Sequence, residues 1–329
     1  MSQVNVPPSR QSDHDRRRRA WVPTIITVVT IAILGSVAVS MVTDWLWYKS
    51  VAAQSVYSTL LASKLALFAI GAVLMGTVVA LNSSLAWRAR PVFASAAQNS
   101  AASRYFELMN THGRRIVIAV SALAALISGM SLSGKWAVVQ LFWNSQPFGQ
   151  TDAQFHRDFA FYVFDYPFYR LVLGFSLSLI TVSFIAAAVA YYLSGAIAFQ
   201  AQAGNRITRS AQIHLASLVA LFLVVRSVSY YLDRFGLALK DSGLITGLRY
   251  VDIHAHLPAL EIMSGVSLLC AALLVFGVVR GGLRLPALSL IVMFGTAILV
   301  GGIYPAIVQQ LQVKPSEVCL LYTSPSPRD

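Results

Sequence analysis

Charge is scarce in this chain. Only 12% of its 329 residues are Asp, Glu, Lys or Arg, against 57% hydrophobic, whereas a soluble domain averages about 25% charged residues. That shortage excludes an ordinary soluble enzyme and an intrinsically disordered chain. Cysteine is rarer still, and two residues in 329 cannot make the disulfide framework of a small secreted module. Acidic residues number 13 against 25 Lys and Arg, and none lies deep within an apolar run. Ion-coupled carriers place carboxylates near the bilayer midplane, so this gap argues against a coupled transporter and leaves a facilitator open. Walker loops, nucleophile elbows, HExxH pairs and dinucleotide fingerprints are missing too. No catalytic residue is therefore assigned, an enzyme is not the leading expectation, and no cofactor is expected.

What the chain does have is long apolar runs. A membrane span needs about 20 such residues, because about 30 Å of hydrocarbon is crossed at 1.5 Å per residue. Seven runs meet or approach that length: Val22 to Thr43, Leu65 to Trp87, Ile116 to Gly134, Leu171 to about Phe199, Ala211 to Leu232, Ile262 to Val279 and Leu285 to Val308. Backbone groups in lipid must bond within their own segment, which predicts helices. The ten-residue alternation of a membrane barrel is absent. The expected fold is an all-α membrane protein of seven transmembrane helices.

Orientation follows from the cations, since Lys and Arg beside span ends stay on the cytoplasmic side. With the N-terminus inside, the inner segments hold 14 of them, from Arg10 through the Arg16 to Arg19 cluster to Arg284, and the outer segments hold 8. Acidic residues run the other way, three inside and nine outside. This predicts an inside N-terminus and an outside C-terminus. The Arg16 to Arg19 cluster precedes too long an apolar run for a signal peptide. It reads as an anchor beside anionic lipid, where each charge contributes about 1 kcal/mol. The cations form no nucleic-acid-binding pattern, so no nucleic acid is expected as a partner.

Twelve aromatic residues, a third of the chain's total, fall between Trp136 and Arg170. Rings with polar edges concentrate at the membrane–water boundary, so this stretch is expected to lie along the outer leaflet between the third and fourth spans. Phe148, Gly149, Asp152, Asp158, Tyr162 and Pro167 mark that interfacial motif.

FGQTDAQFHRDFAFYVFDYPFYR (Phe148 to Arg170), YVDIHAHLPAL (Tyr250 to Leu260) and GGIYPAIVQQLQVKPSE (Gly301 to Glu317) resemble, in order and spacing, the uncharacterised protein family UPF0182. TDWLWY (Thr43 to Tyr48) fits as well. These are large multi-pass membrane proteins of bacteria, above all actinobacteria. The resemblance implies that the chain is the N-terminal membrane part of a protein about three times longer, whose remainder is extracytoplasmic. Residues Cys319 to Asp329, CLLYTSPSPRD, resemble the in-frame translation of a transposase adapter used in sequencing libraries. The expected organisation is a basic cytoplasmic tail over 1–20, a seven-helix membrane domain over 21–310, the start of the extracytoplasmic region over 311–318, and adapter read-through over 319–329.

Two constellations stand out. Arg226 is the one charge inside the fifth run, about 10 Å below its outer end at helical rise. A charge there is costly unless paired, and Asp44 and Glu261 are its expected counter-charges. The bland alternative is an arginine whose head reaches the interface and locks two helices. Asp252, His254 and His256 alternate, and on an extended strand they would share one face as metal ligands do. Their ordinary alternative is loop hydrogen bonding, with Pro258 opening the sixth span in its first turn. Cys270 reads as an inert packing residue.

The leading functional expectation is a membrane anchor and scaffold for a large extracytoplasmic region at the bacterial cell membrane. The bilayer, that region and other envelope proteins are its expected partners. A transporter or channel for an anionic or lipidic envelope substrate is the first alternative. An envelope-modifying enzyme with an outer-loop site is the second.

Overall fold

The computed structural model describes residues 11–88, 102–194, 208–241, 247–282 and 284–313. The segment 314–329, with the adapter-like tail and Cys319, lies outside the described residues, as do Arg10, Arg90 and Arg206. Among the described residues there is no strand, and Thr151 and Asp158 form an isolated antiparallel bridge. Seven helices among the described residues are long and apolar enough to cross a membrane. The chain divides at Ser63/Lys64 into two compact units.

The first unit contains α1 (Gln11–Ser50) and the opening turns of α2 (Gln54–Arg88). A short turn joins them, with Ala52 in the left-handed region at φ 55°. Tyr57 closes this hairpin: its hydroxyl donates to the Met41 carbonyl over 3.1 Å, and its ring lies 5.4 Å from that of Tyr48. The helix α1 starts well before the predicted span, and Pro23 is accommodated inside it.

In the second unit, the rest of α2 packs on α3 (Ala102–Ser133) through glycines. A Cβ on Gly129 would sit 2.9 Å from both the Phe68 ring and its carbonyl oxygen, and one on Gly71 would sit 3.2 Å from Leu132. Small residues are what allow two membrane helices to approach so closely. The short helix α4 (Trp136–Trp143) follows, and its Phe142 stacks on Phe168 with centroids 4.0 Å apart. Next come α5 (Tyr166–Leu193), α6 (Arg209–Gly236) and α7 (Leu257–Val279), which pack in sequence and carry most of the buried core. Serine hydroxyls tie α6 to α7: Ser227 donates to the Ser264 carbonyl and Ser267 to the Leu223 carbonyl, both over 2.8 Å. The last span is α8 (Arg284–Ile298) with α9 (Tyr304–Val308).

Among the described residues three π-helical turns interrupt this pattern, over Phe161–Asp165, Asp252–His256 and Leu299–Ile303, and a fourth, Gln309–Val313, follows α9. Each of the first three ends one residue before a Tyr-Pro or Leu-Pro pair (Pro167, Pro258, Pro305) that opens the next α-helix. Proline offers no N–H and its ring crowds the carbonyl four residues back, so the helix widens for a turn and restarts. These turns change two predicted boundaries. The fourth span begins at Phe161 and not Leu171, and the sixth begins at Asp252 and not Ile262. The second half of the aromatic stretch is thus continuous with a helix long and apolar enough to cross a membrane.

Candidate functional site

The predicted motif residues build a compact loop ahead of α5. The Asp158 carboxylate accepts three backbone N–H groups, from Ala160 (2.8 Å), Gly149 (2.9 Å) and Phe148 (3.1 Å). The Ala160 N–H above all holds its pKa below the ordinary carboxylate value. Partial desolvation pushes the other way, and Gly149 and Phe148 add to the lowering. Asp152 accepts the Phe155 N–H (2.7 Å) and the Tyr162 hydroxyl (3.3 Å). Gly149 (φ 74°) and His156 (φ 54°) supply left-handed turns, which for a glycine carry no steric cost. These residues are therefore the internal fasteners of a loop. Pro167 opens α5.

The alternation of Asp252, His254 and His256 does not produce the shared face a metal would need. The segment is a helical turn, not a strand, so residues two apart point in different directions. Asp252 is fully buried, and Lys240 Nζ (3.2 Å), Arg249 Nε (3.0 Å) and the Arg249 N–H (3.1 Å) donate to it. His254 stacks on Tyr250 with centroids 4.0 Å apart and bonds through Nδ1 to the Tyr250 carbonyl. Tyr304 donates to the His254 carbonyl over 3.2 Å. Val251, Ala255 and Val308 bury one another in the same place. Among the described residues no three His, Cys, Asp or Glu side chains are placed to hold a metal ion. The arrangement fastens the start of α7 to the end of the last span.

Arg226 has other neighbours than the sequence suggests. Its guanidinium lies 4.3 Å from the Tyr230 ring centroid and donates to Ser229 Oγ over 3.3 Å. Glu261 pairs instead with Arg234 over 3.3 Å. Asp44 stands on α1 in the first unit. The unforeseen partner is Arg170 of α5, which forms an ion pair with Asp233 and donates to the same Ser229 hydroxyl. Three arginines and two carboxylates thus gather where α5 begins and α6 ends. The aromatic stretch that ends at Arg170 gives no sign in its hydropathy that this residue stands in α5.

Beside this cluster a cavity of about 1050 Å³ opens between α3, α4 and α5. Leu123, Ile127, Leu171, Phe175 and Val182 form its walls, and Lys135 and Arg170 stand at one end. A polar network at the opposite end of α5 was not anticipated either. Asn82 Nδ2 donates to the Val78 carbonyl, which turns Oδ1 toward His214 Nε2 at 2.9 Å and leaves Nδ1 to the Tyr191 hydroxyl at 3.1 Å. It joins α2, α5 and α6. Its signal was available: His214 is the one histidine inside a predicted span.

The chain matches the model of the uncharacterised protein family UPF0182 over residues 21–320. A UPF0182 protein of Frankia casuarinae is 36% identical over 302 residues, covering 92% of this chain and 30% of the relative. One of Streptomyces coelicolor is 39% identical over 308 residues, covering 92% and 31%. One of Mycobacterium marinum is 34% identical over 312 residues, covering 94% and 31%. The chain thus spans less than a third of the length of these curated relatives. No solved structure matches it. A chain with seven span-length apolar helices, matched to one family model from its first span to its last, belongs to the uncharacterised protein family UPF0182.

Proposed function

We propose that this chain is the membrane anchor and scaffold of a larger envelope protein, set in the bacterial cell membrane with its N-terminus inside and the side following α9 outside. The observation that carries the reading is the odd number of span-length helices in a chain that covers only 30 to 31% of relatives from Frankia and Streptomyces. Seven crossings put the two ends on opposite faces, and the excess of inner Lys and Arg selects which is which. The remaining two thirds of such a protein would then be extracytoplasmic.

The charged groups support a holding role. Asp158, Asp152 and Asp252 spend their oxygens on loop and helix N–H groups, and Arg170, Asp233, Arg234 and Glu261 cross-link α5, α6 and α7. In this orientation the rings between Trp136 and Arg170 form an aromatic belt at the outer interface. The test is carbonate extraction of the full-length Streptomyces coelicolor relative with and without the segment matched here. The anchor reading expects the shortened protein in the soluble fraction and the intact one in the membrane. A shortened protein that still resists extraction contradicts it.

A further inference from the structure

We infer that the cavity between α3, α4 and α5 is a binding site for an anionic glycerophospholipid, with its acyl chain along the helices and its phosphate at Lys135 and Arg170. This goes beyond the anchoring role and does not depend on it.

The walls are apolar and belong to two spanning helices, α3 and α5. The volume, about 1050 Å³, is at the upper end of the range for ligand pockets. From Arg170 to Val182 the α5 wall runs about 18 Å at helical rise. One leaflet contributes about half of a 30 Å hydrocarbon core, so the length suits one lipid tail and does not make a path across the bilayer. Charge is confined to a single end. Lys135 lies in the turn between α3 and α4 and is exposed, and among the described residues no ion pair involves it. Arg170 pairs with Asp233 and shares Ser229 with Arg226, and the lining itself holds two cations, Lys135 and Arg170, and no carboxylate. Basic pockets between membrane helices are the sites that phosphate-bearing lipid head groups select.

Gly174 gives the means of testing it. It lines the cavity, and a Cβ built there meets nothing within 4 Å. Gly174→Leu therefore starts its side chain into open space in the groove and replaces glycine by a better helix former. The full chain in detergent is incubated with equal amounts of 16:0/18:1 phosphatidylglycerol and 16:0/18:1 phosphatidylcholine, and native mass spectrometry counts the lipid retained. Phosphatidylglycerol is expected to be retained about ten-fold more than phosphatidylcholine. Lys135→Ala should lower its retention about five-fold, the equivalent of about 1 kcal/mol for one cation, without changing phosphatidylcholine. Gly174→Leu should remove the bound lipid while the protein elutes as wild type does, and Ser178→Leu, at the same wall, should repeat the effect. Soluble glycerol phosphate should not displace the lipid. Equal retention of both lipids, lipid loading unaffected by Gly174→Leu and Ser178→Leu, or displacement by glycerol phosphate would each overturn the assignment. So would a lipid-free dimer abolished by Gly174→Leu, which would give the groove to a second copy.

Discussion

Replacing Asp252 by Ala removes the buried carboxylate at the start of α7 and leaves three donors without their acceptor. Hydrogen bonds to a charged group contribute about 1.5 to 3 kcal/mol each, so a simple sum would be large. It overstates the loss, because the Lys240 and Arg249 side chains are each 39% exposed and can turn to water, where ion pairs are weak. The Arg249 N–H, fixed in the turn, cannot move as freely. What remains is about 2 to 4 kcal/mol for Asp252→Ala. Asp252→Asn keeps the shape and an acceptor and should lose about 1 to 2 kcal/mol. At this chain length 1 kcal/mol corresponds to about 2 °C, so the alanine variant should melt about 4 to 8 °C lower. The assay is fluorescence-detected size-exclusion chromatography of a fluorescent-protein fusion after heating. A double-mutant cycle with Arg249→Ala should show coupling above about 0.5 kcal/mol. An alanine variant within about 1 °C of wild type, or a cycle without coupling, would refute the fastening role. A chelator in the same assay should leave wild type unchanged, whereas a metal held by Asp252, His254 and His256 would make it melt lower.

Gly129→Ala should destabilise by about 1 to 3 kcal/mol through overpacking against Phe68, read in the same melting assay, while Gly174→Ala, with open space around it, should not. The folded-state pKa of Asp158 lies below its unfolded value, so its stabilisation is present above the unfolded value and fades as pH falls through the folded one. Limited proteolysis of the 148–158 loop should accelerate over that acidic interval, and Asp158→Asn should show fast cleavage already at neutral pH. His214→Leu strands Asn82 Oδ1 and the Tyr191 hydroxyl and should reduce stability by about 1 to 2 kcal/mol, somewhat more than one average membrane hydrogen bond, with Asn82→Leu giving a non-additive double variant. Arg226→Ala should lower folded abundance on immunoblots through loss of the Tyr230 and Ser229 contacts.

The number of spans was legible because seven apolar runs report burial in lipid, a property each segment expresses alone. Span ends were less so. Phe161 to Arg170 and Asp252 to Glu261 each contain two charges and a proline, and the second also two histidines, which lower hydropathy without stopping a helix that widens into a π turn before Pro167 and Pro258. Two of the segments that carry the family resemblance, Phe148 to Arg170 and Tyr250 to Leu260, contain these two junctions, so the motif signal and the boundary errors share one cause. Asp252, His254 and His256 were read on a strand period of two where the backbone is helical, and the proposed face went with it. Partner choice was not legible at all. Arg170 with Asp233 and Arg234 with Glu261 depend on the rotation of α5, α6 and α7 about their axes, which residue spacing along one helix does not encode.

The central claim, an oriented seven-span anchor, is tested most directly by cysteine accessibility. In a chain carrying Cys270→Ala and Cys319→Ser, single cysteines are introduced as Gln150→Cys, in the exposed loop before α5, and Gly282→Cys, in the exposed turn between α7 and α8. Intact cells are treated with a membrane-impermeant maleimide before and after permeabilisation. The account predicts labelling of Gln150→Cys in intact cells and of Gly282→Cys only after permeabilisation. The reverse pattern, or labelling of both from one side, would contradict it.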